Sequence, residues 1–151
     1  MKRKSPISRY TTDVRADRTL AEISKMLVEN HALAILTEYN TDREPRAISF
    51  RIQTEYGLIA FQLPARIEAV AKILAMNHRQ TKPQTIREQA MRTAWRIVRD
   101  WLEAQLAMVQ AGLVSTVEIF LPYAQDAQGR TFYETAKVAR FTGLLLEDKP
   151  A

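Results

Sequence analysis

Apolar residues along this chain recur with two periods. From Ala47 to Gln53 they alternate one by one with polar residues: Ile48, Phe50 and Ile52 fall on one side, Ser49, Arg51 and Gln53 on the other. A period of two belongs to a strand with one buried face. Leu58–Leu63 repeats it with Ile59, Phe61 and Leu63, and Ala32–Tyr39 (ALAILTEY) reads as a further strand. Only the polar turn Asn40–Glu44 and the turn Glu55–Tyr56–Gly57 separate the three runs, so an antiparallel meander is expected.

Helical spacing flanks this block. Leu20, Ile23, Leu27 and Val28 make an apolar stripe, and Thr19 and Glu22 have capping-box spacing, so the first helix is expected to begin near Thr19 and fray near Glu29–Asn30. Pro64 stops the third strand and suits the first turn of a helix over Ala65–Met76 that buries Ile67, Val70, Ala71 and Leu74. After a polar connection at Asn77–Lys82, a long helix is expected from about Pro83 to Ala111, with Gly112 as its C-cap. Met91, Ala94, Trp95, Val98, Trp101, Leu102, Leu106 and Val109 are spaced by threes and fours along it. At 1.5 Å per residue this helix is about 42 Å long, so it either crosses the sheet or projects to pack against a partner chain. Ser115 and Glu118 repeat the capping-box spacing ahead of a short helix at Thr116–Leu121. A loop at Gln125–Arg130 and an amphipathic helix at Thr131–Phe141 complete the pattern. The expected fold class is α+β: a three-stranded antiparallel sheet with packed helices, then a long helix and a helical C-terminal tail.

The 151 residues suffice for one domain, expected over 17–151 and preceded by a mobile basic arm at 1–16. No apolar run approaches the roughly 18 residues of a membrane span, and no apolar stretch follows the basic start as in a secretory signal. The chain has no cysteine, which excludes thiolate catalysis, disulfides and cysteine-held metals and suits a reducing compartment. The expected location is the cytoplasm.

Candidate chemistry is sparse. Ser5, Ser8, Ser24, Ser49 and Ser115 lie in no nucleophile elbow, and glycines 57, 112, 129 and 143 are too scattered for a phosphate loop. His31 and His78 are the only histidines. Asp100 and Glu103 share a helical face but stand four residues after Arg96 and Arg99, and Glu88 stands four before Arg92. That spacing is the ion pairing of a solvated helix. No enzyme, cofactor or metal site is therefore expected.

Charge changes the picture more. The net charge is +5, and it is unevenly spread. Residues 66–99 hold eight Lys/Arg against two Glu, whereas residues 100–151 hold four against seven acidic residues. Arg66, Lys72, Arg79, Lys82, Arg87, Arg92, Arg96 and Arg99 are the candidate phosphate contacts, arginine being favoured because its planar fork bonds phosphate bidentately. Trp95 and Trp101 flank the stripe, as base-stacking platforms or, by their apolar-side spacing, as core. The width of the apolar stripe on the long helix argues for a homo-oligomer formed through it.

The order helix, three strands, helix over residues 19–76 resembles a double-stranded-RNA-binding domain in topology. Where that family begins its second helix with a glycine and paired lysines, this chain has Pro64–Ala65–Arg66–Ile67–Glu68, with Lys72 later. Residues 94–134 (AWRIVRDWLEAQLAMVQAGLVSTVEIFLPYAQDAQGRTFYE) and 48–70 (ISFRIQTEYGLIAFQLPARIEAV) resemble small uncharacterised proteins carried by phages and prophages. That resemblance implies a setting in which small non-enzymatic proteins handle nucleic acid or block host defences. The expected function is thus nucleic-acid binding by a phage accessory protein. The alternative is an oligomer that sequesters an anionic nucleotide signal or a host defence protein.

Overall fold

A computed structural model describes residues 12–146. The expected basic arm at 1–16 lies mostly outside them. The elements are α1 (Ala16–Glu29), β1 (Ala32–Tyr39), β2 (Pro45–Thr54), β3 (Gly57–Pro64), α2 (Ile67–Asn77), α3 (Pro83–Gln110), α4 (Thr116–Phe120) and α5 (Phe132–Val138), with a 3-10 turn at Leu121–Tyr123. The fold class is α+β, as the periodicities imply.

The strands form an antiparallel meander in the order β1-β2-β3. Phe50 of β2 sits opposite Ile35 of β1 and Phe61 of β3, so one sheet face gathers the alternating apolar set. Ile48, Phe50, Ile52, Phe61 and Leu63 on this face are all buried. Helices cover that face, with α3 packed between α1 and α2. Phe50, Phe61 and Phe120 stack with ring centroids 5.1–5.6 Å apart, which docks α4 on the sheet. Trp101 adds its ring against Phe120 and Tyr123.

The first helix starts a turn earlier than its capping spacing implies. Arg15 is the N-cap, in extended conformation and without a side-chain cap bond. Thr19 is wholly buried inside the helix. Glu22 does not reach back to the backbone; its carboxylate meets Arg96 and Arg99 of α3. A tertiary ion pair has outcompeted a local cap. The second box forms as expected: Ser115 accepts from the Glu118 N–H and Glu118 from the Ser115 N–H.

The long helix packs between α1 and α2 and meets the sheet at the start of β2 and the end of β3. Its stripe is covered by the chain itself: Trp95 and Leu102 are fully buried, Leu106 and Ala94 nearly so, and Val98, Trp101 and Val109 half-buried. Much of the apolar surface on which the expected oligomer through α3 rests is buried within one molecule, while Val98, Trp101 and Val109 keep part of theirs open. Trp95 donates its Nε1 proton to the Pro45 carbonyl at 3.0 Å, tying α3 to the start of β2. This is a core role, with no ring face left for a base. The helix ends on Gly112 at φ +74°. The Gly112 N–H bonds the Val109 carbonyl and the Leu113 N–H the Met108 carbonyl, both at 3.0 Å, the two bonds of a Schellman cap.

Candidate nucleic-acid interface

Three of the eight candidate cations are committed to carboxylates. Arg87 leaves α3 toward the β1–β2 turn and grips Glu44 with two bonds, Nε to Oε2 at 2.9 Å and Nη2 to Oε1 at 2.7 Å. Its Nη1 also meets Glu68 of α2. Asn40 holds the acceptor in place, its side chain bonding both the Glu44 carboxylate and the Glu44 N–H. The Arg87 hydrogen bonds hold the Glu44 carboxyl below its ordinary value against the opposing effect of burial. Arg87 is raised in return, first by the bond to Glu44.

Arg96 donates to Glu22 of α1 at 2.5 Å, and Arg99 to the same oxygen at 3.2 Å. Arg99 also meets Asp100 at 3.2 Å and Glu103 one turn on. Burial favours the neutral form of Arg99, but its bond to Asp100 and the charges of Glu103 and Glu22 raise it above its ordinary value. Arg92 donates to the Gln89 side chain at 2.7 Å. These residues form a clasp that fastens α3 to α1, to α2 and to the β1–β2 turn.

The other four candidates, Arg66, Lys72, Arg79 and Lys82, are exposed and have no ion-pair partner among the described residues. Lys72 and Arg79 line a groove of about 390 Å³ between α2 and the start of α3, together with His78. Lys82, the N-cap residue of α3, falls in the chain between the lining residues Thr81 and Pro83 and is not itself part of the lining. Ala71, Ala75 and Ile86 make the floor apolar. The one carboxylate lining the groove, Glu68, is already bound to Arg87. Here too opens the N-terminus of α3, a 28-residue helix with no side-chain cap and no acidic residue in its first turn. Its free N–H groups and the positive end of its dipole add to the field of the side chains. Arg66 stands apart at the N-cap of α2.

A larger cavity of about 750 Å³ lies between α1, the β1–β2 turn and α3. Its lining balances Arg15, Arg43, Arg87 and Arg92 against Asp17, Asp42, Glu44 and Glu88, so it has no preference for an anion. Among the described residues no cluster of acidic residues and histidines could hold a metal, and no helix is long and apolar enough to cross a membrane.

His78 is the groove residue that sequence reasoning set aside. Its position at the C-cap of α2, between Lys72 and Arg79, was the available signal. The division of the arginines into bound and free was hidden for a different reason. The partners Glu22, Glu44 and Glu68 lie 19 to 77 residues away in the chain, and helix spacing reveals only neighbours on the same helix. In comparisons with known proteins, the chain matches no family model, no curated protein and no solved structure.

Proposed function

We propose that this chain is a non-enzymatic nucleic-acid-binding protein that holds phosphates in the groove between α2 and α3. The observation that carries the reading is the unbalanced charge of that groove: Lys72 and Arg79 line it beside the uncapped start of α3, whose N-cap residue is Lys82, and the carboxylate that lines it is paired with Arg87. Phosphate contacts of this kind give affinity without sequence choice. No Phe, Tyr or Trp side chain lines the groove, and His78 is the one ring in its lining, which favours gripping of the backbone over stacking of bases. The setting we propose, following the resemblance of residues 48–70 and 94–134, is that of a phage or prophage accessory protein acting in the cytoplasm. A second reading shares the groove: its volume also suits a single anionic nucleotide, which the protein would sequester.

Fluorescence anisotropy with a labelled duplex, a labelled single strand and unlabelled mononucleotide competitors separates these readings. Three phosphate contacts on duplex DNA give a log K against log salt slope of about −2.7, at roughly −0.9 per contact. Arg79→Glu with Lys82→Glu should abolish binding, while Arg66→Glu, away from the groove, should alter it little. Competition by a mononucleotide at equal concentration would transfer the groove to the sequestration reading. Absence of binding to every probe at low salt would overturn both.

A further inference from the structure

The sheet has two edges, and the chain treats them differently. The outer edge of β3 is occupied at its middle: Ala124 bridges Phe61, and the Gln125 N–H bonds the Ala60 carbonyl at 2.8 Å. Among the described residues, nothing pairs with the outer edge of β1. An open edge offers a row of unpaired backbone donors and acceptors, and proteins usually guard it with lysine, proline or a protruding charge. β1 contains no lysine, arginine or proline. Its one charge, Glu38, is turned onto the open face of the sheet, where Ser49 and Gln62 donate to it and Arg46 lies 4.0 Å away. Register shifts after Ala32 and Glu38 bracket a regular run, Ala34–Glu38, beside this edge. The side chains along it are apolar and exposed: Leu33 at 70%, Leu36 at 61% and Tyr39 at 58%. Val28 near the end of α1 is exposed as well.

We infer that β1 pairs antiparallel with β1 of a second copy of this chain, with Leu36 on the twofold axis, joining two sheets into one of six strands. Charge and size complementarity select this occupant and this register. Leu36 meets Leu36 of the other copy, and Ala34 lies opposite Glu38. Within one sheet Arg51 is the neighbour of Ala34 on the open face. Arg51 is exposed and has no partner among the described residues. In the paired sheet it lies two strand spacings, about 10 Å between backbones, from Glu38 of the other copy, with only the small Ala34 between them. The long guanidinium side chain reaches across and forms an ion pair, and the twofold repeats it. No like charges face each other, which would otherwise weaken such a pair of strands. The interface leaves the groove between α2 and α3 uncovered, so it neither requires nor blocks phosphate binding.

Sedimentation equilibrium of the full chain without nucleic acid tests this independently of the groove. The expected mass is about twice the 17.3 kDa of one chain at concentrations of about 50 µM. Leu36→Lys, which sets two charges against each other on the axis, should give monomer, as should Arg51→Glu. The exchanged pair Arg51→Glu with Glu38→Arg should restore the dimer. Leu36 and Arg51 are exposed, so both single variants should keep the circular dichroism spectrum of the parent. Hydrogen exchange provides a second readout, with the outward amides of Ala34–Glu38 protected in the parent and released in Leu36→Lys. A parent that stays monomeric, or a dimer that survives Leu36→Lys, would overturn the inference.

Discussion

Replacing Glu44 by glutamine separates the clasp from the groove. The side chain keeps its shape but loses its charge and one of the oxygens that Arg87 grips. Glu44 is 12% exposed and Arg87 26%, so the pair lies between two limits. Exposed pairs contribute about 0.2–1 kcal/mol, while removing one partner from a buried pair costs roughly 3–5 kcal/mol. Arg87 retains Glu68, itself 76% exposed, which softens the loss. The expected destabilisation is about 2 kcal/mol at neutral pH, equivalent to a fall in melting temperature of roughly 4–8 °C for a chain of this length. The pH dependence has a definite sign. The Glu44 carboxyl is held below its ordinary 4.5, so its contribution is complete above that value and is lost as pH falls through the folded-state pKa. Glutamine does not titrate. The stability gap between parent and variant, measured by urea titration, should therefore be full at neutral pH and close in acid. A gap under about 0.5 kcal/mol at neutral pH, or one that persists unchanged at about pH 3, would refute the assignment of this pair as structural. The variant leaves Arg87 with Glu68 as its one charged partner beside the groove, so phosphate affinity should hold or rise as stability falls.

Trp95→Phe removes the bond to the Pro45 carbonyl and part of a fully buried ring. An unpaired carbonyl and a residual cavity together should cost about 3 kcal/mol, read as a lower urea midpoint at unchanged slope. Gly112→Ala tests the cap of α3. A Cβ there meets nothing within 4 Å, so the cost is that of the left-handed backbone alone, about 1–2 kcal/mol. Gly112→Asn should cost less in the same titration, because asparagine tolerates that conformation.

Much of this architecture is written locally. The alternation Ile48, Phe50, Ile52 defines β2 and its buried face, because a strand turns successive side chains to opposite sides whatever it packs on. Pro83 and Gly112 mark the limits of α3 for equally local reasons, a fixed φ at one end and a left-handed residue at the other. Net positive charge over residues 66–99 is likewise a property of the chain. The fate of each charge is not. Arg96 and Lys72 are both basic residues on helices, yet one is tied to Glu22 of another element and the other faces solvent in a groove. The same competition moved the start of α1, since Glu22 gains more from two guanidiniums than from one backbone N–H. The sequence by itself determined the elements, their buried faces and the sign of the molecule, because these depend on neighbours within a few residues. Only the tertiary structure decided which arginines are fasteners, which exposed cations line the groove, and that one sheet edge is partly covered while the other stays open. Those outcomes depend on contacts between residues far apart in the chain, and no periodicity records them.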